Sequence, residues 1–461
     1  MSDKDKNAWL KYDKSGIEEI FDFCNGYKEY TSVCKTERES VLTAIDMIEA
    51  MGYRDLDEII ENSETLKPGD KVYSNNKDKT LVAFLIGKNP IKDGMRIIGS
   101  HVDSPRLDLK QNPLYEDGEL ALMETHYYGG IKKYQWVATP LSLHGVVIKK
   151  DGTKIDVVIG EDDNDPVIGV SDLLVHLAGE QLQKKANEVI AGEDLNILVG
   201  NIPAVGEEKD AVKKNILNLL KEKYDFEEAD FMSAEIEVVP AGKSRDYGLD
   251  KSMIMAYGQD DRVCAYTSIM ALLELDQVEY TSAVLLVDKE EVGSQGATGM
   301  HSRFFENIVA ELMDRAGEYS ELNLRRGLSN SKMLSADVSV AYDPNYPNVS
   351  EKRNTAYFGR GLVFSKYTGS RGKSGCNDAN PEFMAWLRDV MDSENVSYQT
   401  AELGKVDQGG GGTIAYILAQ YNMEVIDCGV ALHNMHAPWE VASKVDIYET
   451  MKGYRAFLKA E

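Results

Sequence analysis

The sequence predicts an α/β fold, a mostly parallel sheet covered by helices on both faces, with an inserted, mainly β second domain. Three observations predict it. Strand-like and helical runs alternate before about residue 110 and again after about residue 245. The run 282–287 reads as a fully apolar strand of the kind buried within a parallel sheet. Between these regions the character changes to hairpin and half-buried strand patterns, with no dense cluster of ligand-type side chains. The boundaries that follow are 1–109 and 246–461 for the main domain and 110–245 for the inserted one.

Taken in order, Thr36-x-x-Glu39 is a capping-box pattern, and Val41, Leu42, Ile45 and Ile48 follow it at helical spacing. Runs 80–86 and 95–99 read as strands separated by a turn region containing Lys88-Asn89-Pro90 and Lys92-Asp93-Gly94. In the inserted stretch, 143–149 and 154–160 form a hairpin pattern around Lys150-Asp151-Gly152. Runs 171–185 and 209–223 read as helices, and 234–239 alternates like a half-buried strand. Beyond 245, the run 262–275 predicts a helix with Val263, Tyr266, Ile269, Met270 and Leu273 on its inner face. Further strands are expected at 333–338 and 423–430. Pro438 suits the first turn of a closing helix running toward Lys459.

Composition narrows the function. The 461 residues are enough for a large core and for two or three domains, and 43% hydrophobic with 28% charged content is ordinary for a globular protein. A formal net charge of −26 argues against a nucleic-acid partner, since phosphate binding needs a basic footprint. No apolar run approaches the roughly 18 residues of a membrane span, and the start Met-Ser-Asp-Lys-Asp-Lys-Asn lacks a signal-peptide layout. Cys24, Cys34, Cys264, Cys376 and Cys428 are odd in number and scattered, which is neither a disulfide framework nor a zinc ribbon. A cytoplasmic protein is expected.

The chemistry-bearing residues gather at strand ends, where ligands of an open α/β sheet collect. His101 ends one strand in Ser100-His101-Val102-Asp103-Ser104-Pro105, and Asp288-Lys289-Glu290-Glu291-Val292-Gly293-Ser294 follows another. Asp337, in Ser335-Ala336-Asp337, ends a third, and His436, three residues after His433, lies beyond a fourth. Asp260 and Asp261 stand before a helix, where one would serve as an N-cap and leave the other for different work. Each feature alone has a structural explanation; together they suit a carboxylate-rich metal site. Hydrolysis of a peptide bond needs a nucleophile at neutral pH and compensation for the oxyanion. Two divalent metals about 3.5–4 Å apart supply both. His101, Asp260, Glu291, Asp337 and His436 fill five ligand positions, and Glu290 remains as the base. Asp103, two residues past His101, is the catalytic partner expected to hold the imidazole in its ligating tautomer.

Competing motifs fail. No His-Glu-x-x-His is present, and Gly372-Lys373-Ser374 lacks the first glycine of a phosphate loop, with Tyr367 in its place. No Gly-x-Ser-x-Gly elbow surrounds Ser294. The run Gln408-Gly409-Gly410-Gly411-Gly412-Thr413 is either a flexible loop or one whose backbone approaches a substrate closely.

Ser-His-Val-Asp-Ser-Pro, Asp-Asp-Arg, Glu-Glu-Val-Gly-Ser, Ser-Ala-Asp and Met435-His436-Ala437, with Asp343-Pro344-Asn345-Tyr346, occur in an order that resembles the aspartyl aminopeptidase/aminopeptidase I family of dinuclear zinc metallopeptidases. The likeness spans about residues 15–458. It implies a zinc-aminopeptidase-like catalytic domain, an inserted oligomerisation domain and a homododecamer acting on peptides. It further implies that Asp260 bridges two divalent ions, most naturally zinc, that Glu290 is the base, and that His101, Glu291, Asp337 and His436 are terminal ligands. Of the two histidines in the aspartyl branch's inserted domain only His176 is kept, read either as a residue of an amphipathic helix or as a metal-site residue for a neighbouring subunit. Lys366, Arg371 and Lys373 compete for the place of an acid-selecting lysine, and with Lys132 and Lys133 they lean the expectation toward acidic N-terminal residues over neutral ones. Two other functions fit less well. One is a metal-dependent amidohydrolase or deacylase of small N-acylated substrates; the other is a non-enzymatic, metal-stabilised scaffold, which predicts a missing active residue where none is missing.

Overall fold

Alternate residues of the central strands face two separate apolar layers. In the computed structural model, which describes residues 7–461, Leu81, Ala83, Leu85, Ile98, Val284, Leu286, Leu334 and Ile426 join one core cluster. Their chain neighbours Val82, Phe84, Ile97, Ala283, Leu285, Met333 and Val425 join the other. A period of two that buries both phases requires cover on both faces of the sheet. Helices Lys14–Val33, Glu37–Glu49, Gln259–Leu273 and Lys444–Leu458 cover the first face. Phe304–Arg315 and Glu321–Asn330 are among those that cover the second.

The chain divides into two units. The first comprises the described residues up to Asp103, Ser244–Met435 and Glu440–Glu461. It holds a nine-stranded sheet in the order Arg54–Asp55, Lys71–Asn76, Thr80–Leu85, Thr281–Val287, Met95–His101, Lys332–Ser335, Glu424–Gly429, Leu362–Ser365, Tyr398–Thr400. The four central strands, 281–287, 95–101, 332–335 and 424–429, run parallel, with Val284 and Leu334 both beside Ile98 and Leu334 beside Ile426. Their carboxyl ends therefore share one edge. A smaller five-stranded sheet contains Arg245–Tyr247, Met253–Ala256, Glu440–Ser443, Ala431–His433 and Ser339–Val340.

The second unit, Ser104–Lys243 with His436–Trp439, is built on a seven-stranded antiparallel sheet. It includes the hairpin Leu141–Ile148 and Lys154–Ile159, with Val146 opposite Asp156. The expected helix near 209–223 is present as Ala211–Tyr224.

The capping box before Glu37 is complete: the Thr36 hydroxyl accepts from the Glu39 backbone N–H and the Glu39 carboxylate accepts from that of Thr36. Two expectations are corrected. Residues 171–185 are not helical; they form turns with one short 3₁₀ turn, Gln181–Gln183. Leu173, Leu174, Val175 and Leu177 are all exposed, so among the described residues the apolar stripe that would stabilise a helix has no surface to bury against. His176 accordingly sits in an exposed turn and not on a helix. Pro438 does not open the closing helix. The chain first forms strand Glu440–Ser443, paired with Met253–Ala256 and Ala431–His433, and only then helix Lys444–Leu458. That helix packs against Gln259–Leu273, with Tyr454 donating to the Cys428 carbonyl at 2.7 Å. All five cysteines are free thiols.

Candidate metal centre

His101 is the last residue of its strand and only 1% exposed. Its Nδ1 lies 2.9 Å from the backbone carbonyl of Asp103 and 3.4 Å from that residue's Oδ1. A proton on Nδ1 satisfies these acceptors and leaves the lone pair on Nε2, which is 3.2 Å from Asp260 Oδ1. Burial opposes a charge on this ring, yet the hydrogen bonds to Asp103 and Asp260 outweigh burial and hold its pKa well above the usual histidine value. The site is thus strongly cation-seeking.

Asp260 and Asp261 occupy the entry to helix Gln259–Leu273, where the backbone is not yet helical (φ/ψ −79°/104° and −118°/25°) and the peptide bond between them is cis. The two side chains diverge. Asp260 faces His101, while its backbone N–H donates to buried Glu440 at 3.0 Å. Asp261, fully buried, accepts from the His101 backbone N–H through Oδ2 at 3.3 Å. Burial, with the neighbouring Asp260 charge, raises the Asp261 carboxyl well above its ordinary range.

Glu290 and Glu291 form a tight turn, Glu290–Val292, between Lys289 and Gly293 in left-handed conformation (φ 70° and 92°). Asp103 holds that turn from behind: Oδ1 accepts from the Glu290 N–H at 3.1 Å and Oδ2 from the Glu291 N–H at 3.2 Å. One carboxylate therefore orients both the imidazole of His101 and the two glutamates. Asp337 lies two residues past strand Lys332–Ser335. Burial, then the charges of Glu290 and Asp261, push its carboxyl well above the ordinary range.

Ligand atoms of His101, Asp260 and Asp337 all lie within 4.8 Å of one another, as do those of His101, Glu290 and Glu291. One imidazole and several mutually repelling carboxylates make a hard, anionic donor set that a divalent cation neutralises, and zinc accepts both donor types. The residues present fit such an ion. Of the other expected ligands, His436 belongs to the second unit, where its Nδ1 is 2.9 Å from the Gly130 carbonyl, and His176 is exposed. The sequence reading left open what Asp261 does, and it missed Glu440. Adjacency to Asp260 was a signal for Asp261; a lone glutamate in a strand gave none for Glu440.

The first unit also has a cavity of about 150 Å³ lined by Tyr367, Arg371, Lys373, Glu402, Lys405 and Gly410. Lys373 Nζ lies 2.9 Å from Asp378, and Lys366 pairs with the same carboxylate. Of the glycine run, Gly409 and Gly410 serve the chain's own packing. A Cβ would fall 1.7 Å from the Leu403 carbonyl at Gly409 and 2.4 Å from Ser370 Cα at Gly410, whose φ is +112°. Gly412 has open space.

Comparison with known proteins matches residues 30–458 to the family model "Aminopeptidase I zinc metalloprotease (M18)". A "probable M18 family aminopeptidase 1" of Clostridium acetobutylicum is 66% identical over 98% of both chains. The crystal structure of an M18-family aminopeptidase from Thermotoga maritima superposes with a TM-score of 0.94 at 44% identity, covering 98% of this chain and 99% of that one. The S. cerevisiae mApe1 dodecamer structure shares the fold at 22% identity, with a TM-score of 0.76 over 94% of this chain and 96% of that one.

Proposed function

Because the chain belongs to the M18 (aminopeptidase I) family of zinc metallopeptidases and is a metalloaminopeptidase, we propose that it removes N-terminal residues from peptides with two divalent ions per subunit. The observation that carries this reading is the meeting of His101, Asp260 and Asp337 within 4.8 Å, beside a Glu290–Glu291 turn tied to the same histidine through Asp103. Asp260 would be the carboxylate shared by both ions, and His101, Glu291 and Asp337 would each hold one of them. His436 enters the set through the sequence resemblance. When bound, the two ions lower the pKa of water and polarise the scissile carbonyl. Glu290 takes the water's proton and returns it to the departing amine, contributing about 10²–10⁴-fold as a general base. Asp103 and Asp261 hold their neighbours in place, the first through side chain and turn, the second through the His101 backbone.

An acidic N-terminal residue is the proposed preference, with Arg371, Lys373 and Lys405 as the cationic wall, and the open Gly412 backbone as the surface a peptide can approach. Twelve identical subunits in closed symmetry are the proposed assembly. The segment 110–245 supplies contacts through its exposed Leu173, Leu174, Val175 and Leu177, and His176 lies among them. A cytoplasmic setting accords with the free cysteines; no helix among the described residues is long and apolar enough to cross a membrane. Family membership favours peptides over the N-acylated substrates of a deacylase. The test pairs metal analysis with a substrate panel. Asp260→Ala is expected to lose at least one equivalent of metal, and two retained equivalents would reject Asp260 as the bridge. A leucine substrate turned over much faster than aspartate or glutamate substrates would reject the acidic preference.

A further inference from the structure

Asp427 is a carboxylate in a place where the sheet asks for an apolar side chain. It lies in strand Glu424–Gly429 and is 3% exposed. Its alternate neighbour Val425 points into the apolar layer that also contains Met333 and Ile414. Burial pushes its carboxyl up to about 6, opposed by the hydroxyls of Thr413 and Ser335, and no cation is among the groups acting on it. Burying a carboxylate without a cation is costly, so the position is explained by what the carboxylate holds.

It holds two pieces of the site. Ser335, directly beside it on the parallel strand Lys332–Ser335, donates its hydroxyl to Oδ1 at 3.0 Å. Two residues further on is Asp337, and between them the Ala336 N–H donates to the Gly99 carbonyl at 2.7 Å, locking this strand end to the His101 strand. On the other side the Thr413 hydroxyl is near enough to favour the charged carboxylate, while Oδ2 accepts no hydrogen bond; the residue after Thr413, Ile414, lies in the same apolar layer as Val425. Thr413 closes the glycine run, whose Gly411 N–H donates to the Thr368 carbonyl at 2.9 Å. A single buried side chain thus ties the base of the Asp337 segment by a hydrogen bond and lies beside the base of the glycine loop.

We propose that Asp427 is a positioning residue that fixes the Asp337 strand end and the 408–413 loop relative to each other, setting both metal affinity and peptide binding. This rests on Asp337 as a ligand and on the loop as a surface that peptides approach.

The experiment compares Asp427→Val, Asp427→Asn, Ser335→Ala and Thr413→Val in the full-length enzyme, reading zinc affinity by competition with a chelator and KM and kcat at saturating zinc. Asp427→Val is expected to lose about tenfold or more in zinc affinity, the usual scale for removing a group that orients a ligand, and to raise KM while kcat stays within threefold. Asp427→Asn keeps an acceptor for Ser335 and is expected to stay within threefold of the parent in zinc affinity. Ser335→Ala is expected to weaken zinc alone, and Thr413→Val to raise KM alone. A folded Asp427→Val enzyme with zinc affinity and KM both within twofold of the parent overturns the proposal, even if it melts at a lower temperature. Should Asp427→Val not fold, the absence of any effect in both hydroxyl variants overturns it equally. Asp337→Ala separates the two levels: full zinc affinity there rejects the ligand assignment, while the KM results for Asp427→Val and Thr413→Val still judge the brace to the loop.

Discussion

Replacing Asp103 by alanine removes its carboxylate from the His101 ring and from the Glu290–Glu291 turn, with unequal consequences. The His101 Nδ1 contact to the Asp103 carboxylate is long, at 3.4 Å, and the same nitrogen keeps its 2.9 Å contact to the residue's backbone carbonyl. The imidazole tautomer therefore survives. The backbone N–H groups of Glu290 and Glu291 lose the carboxylate oxygens to which they donate at 3.1 and 3.2 Å. An orphaned donor costs about 1–3 kcal/mol, and because this turn is only half-buried the lower part of that range applies, giving about 2–3 kcal/mol for the pair. If that energy is what holds the base and its neighbouring ligand in place, kcat/KM falls about 30–150-fold, at 1.4 kcal/mol per factor of ten. Asp103→Asn keeps one acceptor oxygen and is expected to recover about half the loss in free energy. Steady-state kinetics with a dipeptide, beside chelator competition for zinc, are the assays. An alanine variant within threefold of the parent in kcat/KM refutes the reasoning, because the turn would then be held by something other than Asp103.

Glu290→Gln should retain its metal while losing about 10²–10⁴-fold in turnover; activity within a few-fold of the parent rejects it as the base. Asp446 makes stability depend on pH. Burial raises its carboxyl to about 7, against the backbone N–H groups of Gly359 and Gly361 that it accepts at 2.7 and 2.6 Å. A carboxyl raised on folding adds stability that is complete below its unfolded pKa, near 4, and is lost as pH rises through 7, up to about 4 kcal/mol for a three-unit shift. The melting temperature of the parent is expected to fall more than that of Asp446→Asn between pH 5 and 8, and parallel curves reject the account. Light scattering is expected to give a mass twelve times the 51.3 kDa of the chain; a mass near 51.3 kDa at micromolar concentration refutes the assembly.

The parts of the fold legible in the sequence were those where one physical signal dominates. Thr281–Val287 and Met95–His101 bury every residue, so apolar content alone marks them. The capping box at Thr36 is local and reads directly. Helix Lys14–Val33 was not anticipated, because its buried face, Ile20, Cys24, Tyr27, Tyr30 and Thr31, is largely aromatic and polar and gives a weak helical stripe. The opposite error occurred at 171–185, where a helical stripe exists but no surface among the described residues covers it. Pro438 misled because a four-residue strand that depends on distant partners, Met253–Ala256 and Ala431–His433, carries no local signature. At the site, His101, Glu290, Glu291 and Asp337 stood out in the sequence as strand-end residues and Asp260 as one at a helix entry. The division of labour between Asp260 and Asp261 did not, since it depends on how the backbone turns at the helix entry, and neither did Glu440.

The packing of helix Lys444–Leu458 on Gln259–Leu273 bears on how such an enzyme is made. Asp260 is carried by a helix whose cover, Lys444–Leu458, is made long after it, and Asp337 stands in a strand end braced by Asp427, also well downstream. When the first 300 residues have been made, at about 5–20 residues per second, His101, Asp260 and the glutamate turn are in the chain, but Asp337, Asp427 and the helix that packs on Gln259–Leu273 are not. The seats of Asp260 and Asp337 are therefore finished by stretches of chain made well after the residues themselves, and the spacing of His101, Asp260 and Asp337 is set late in synthesis.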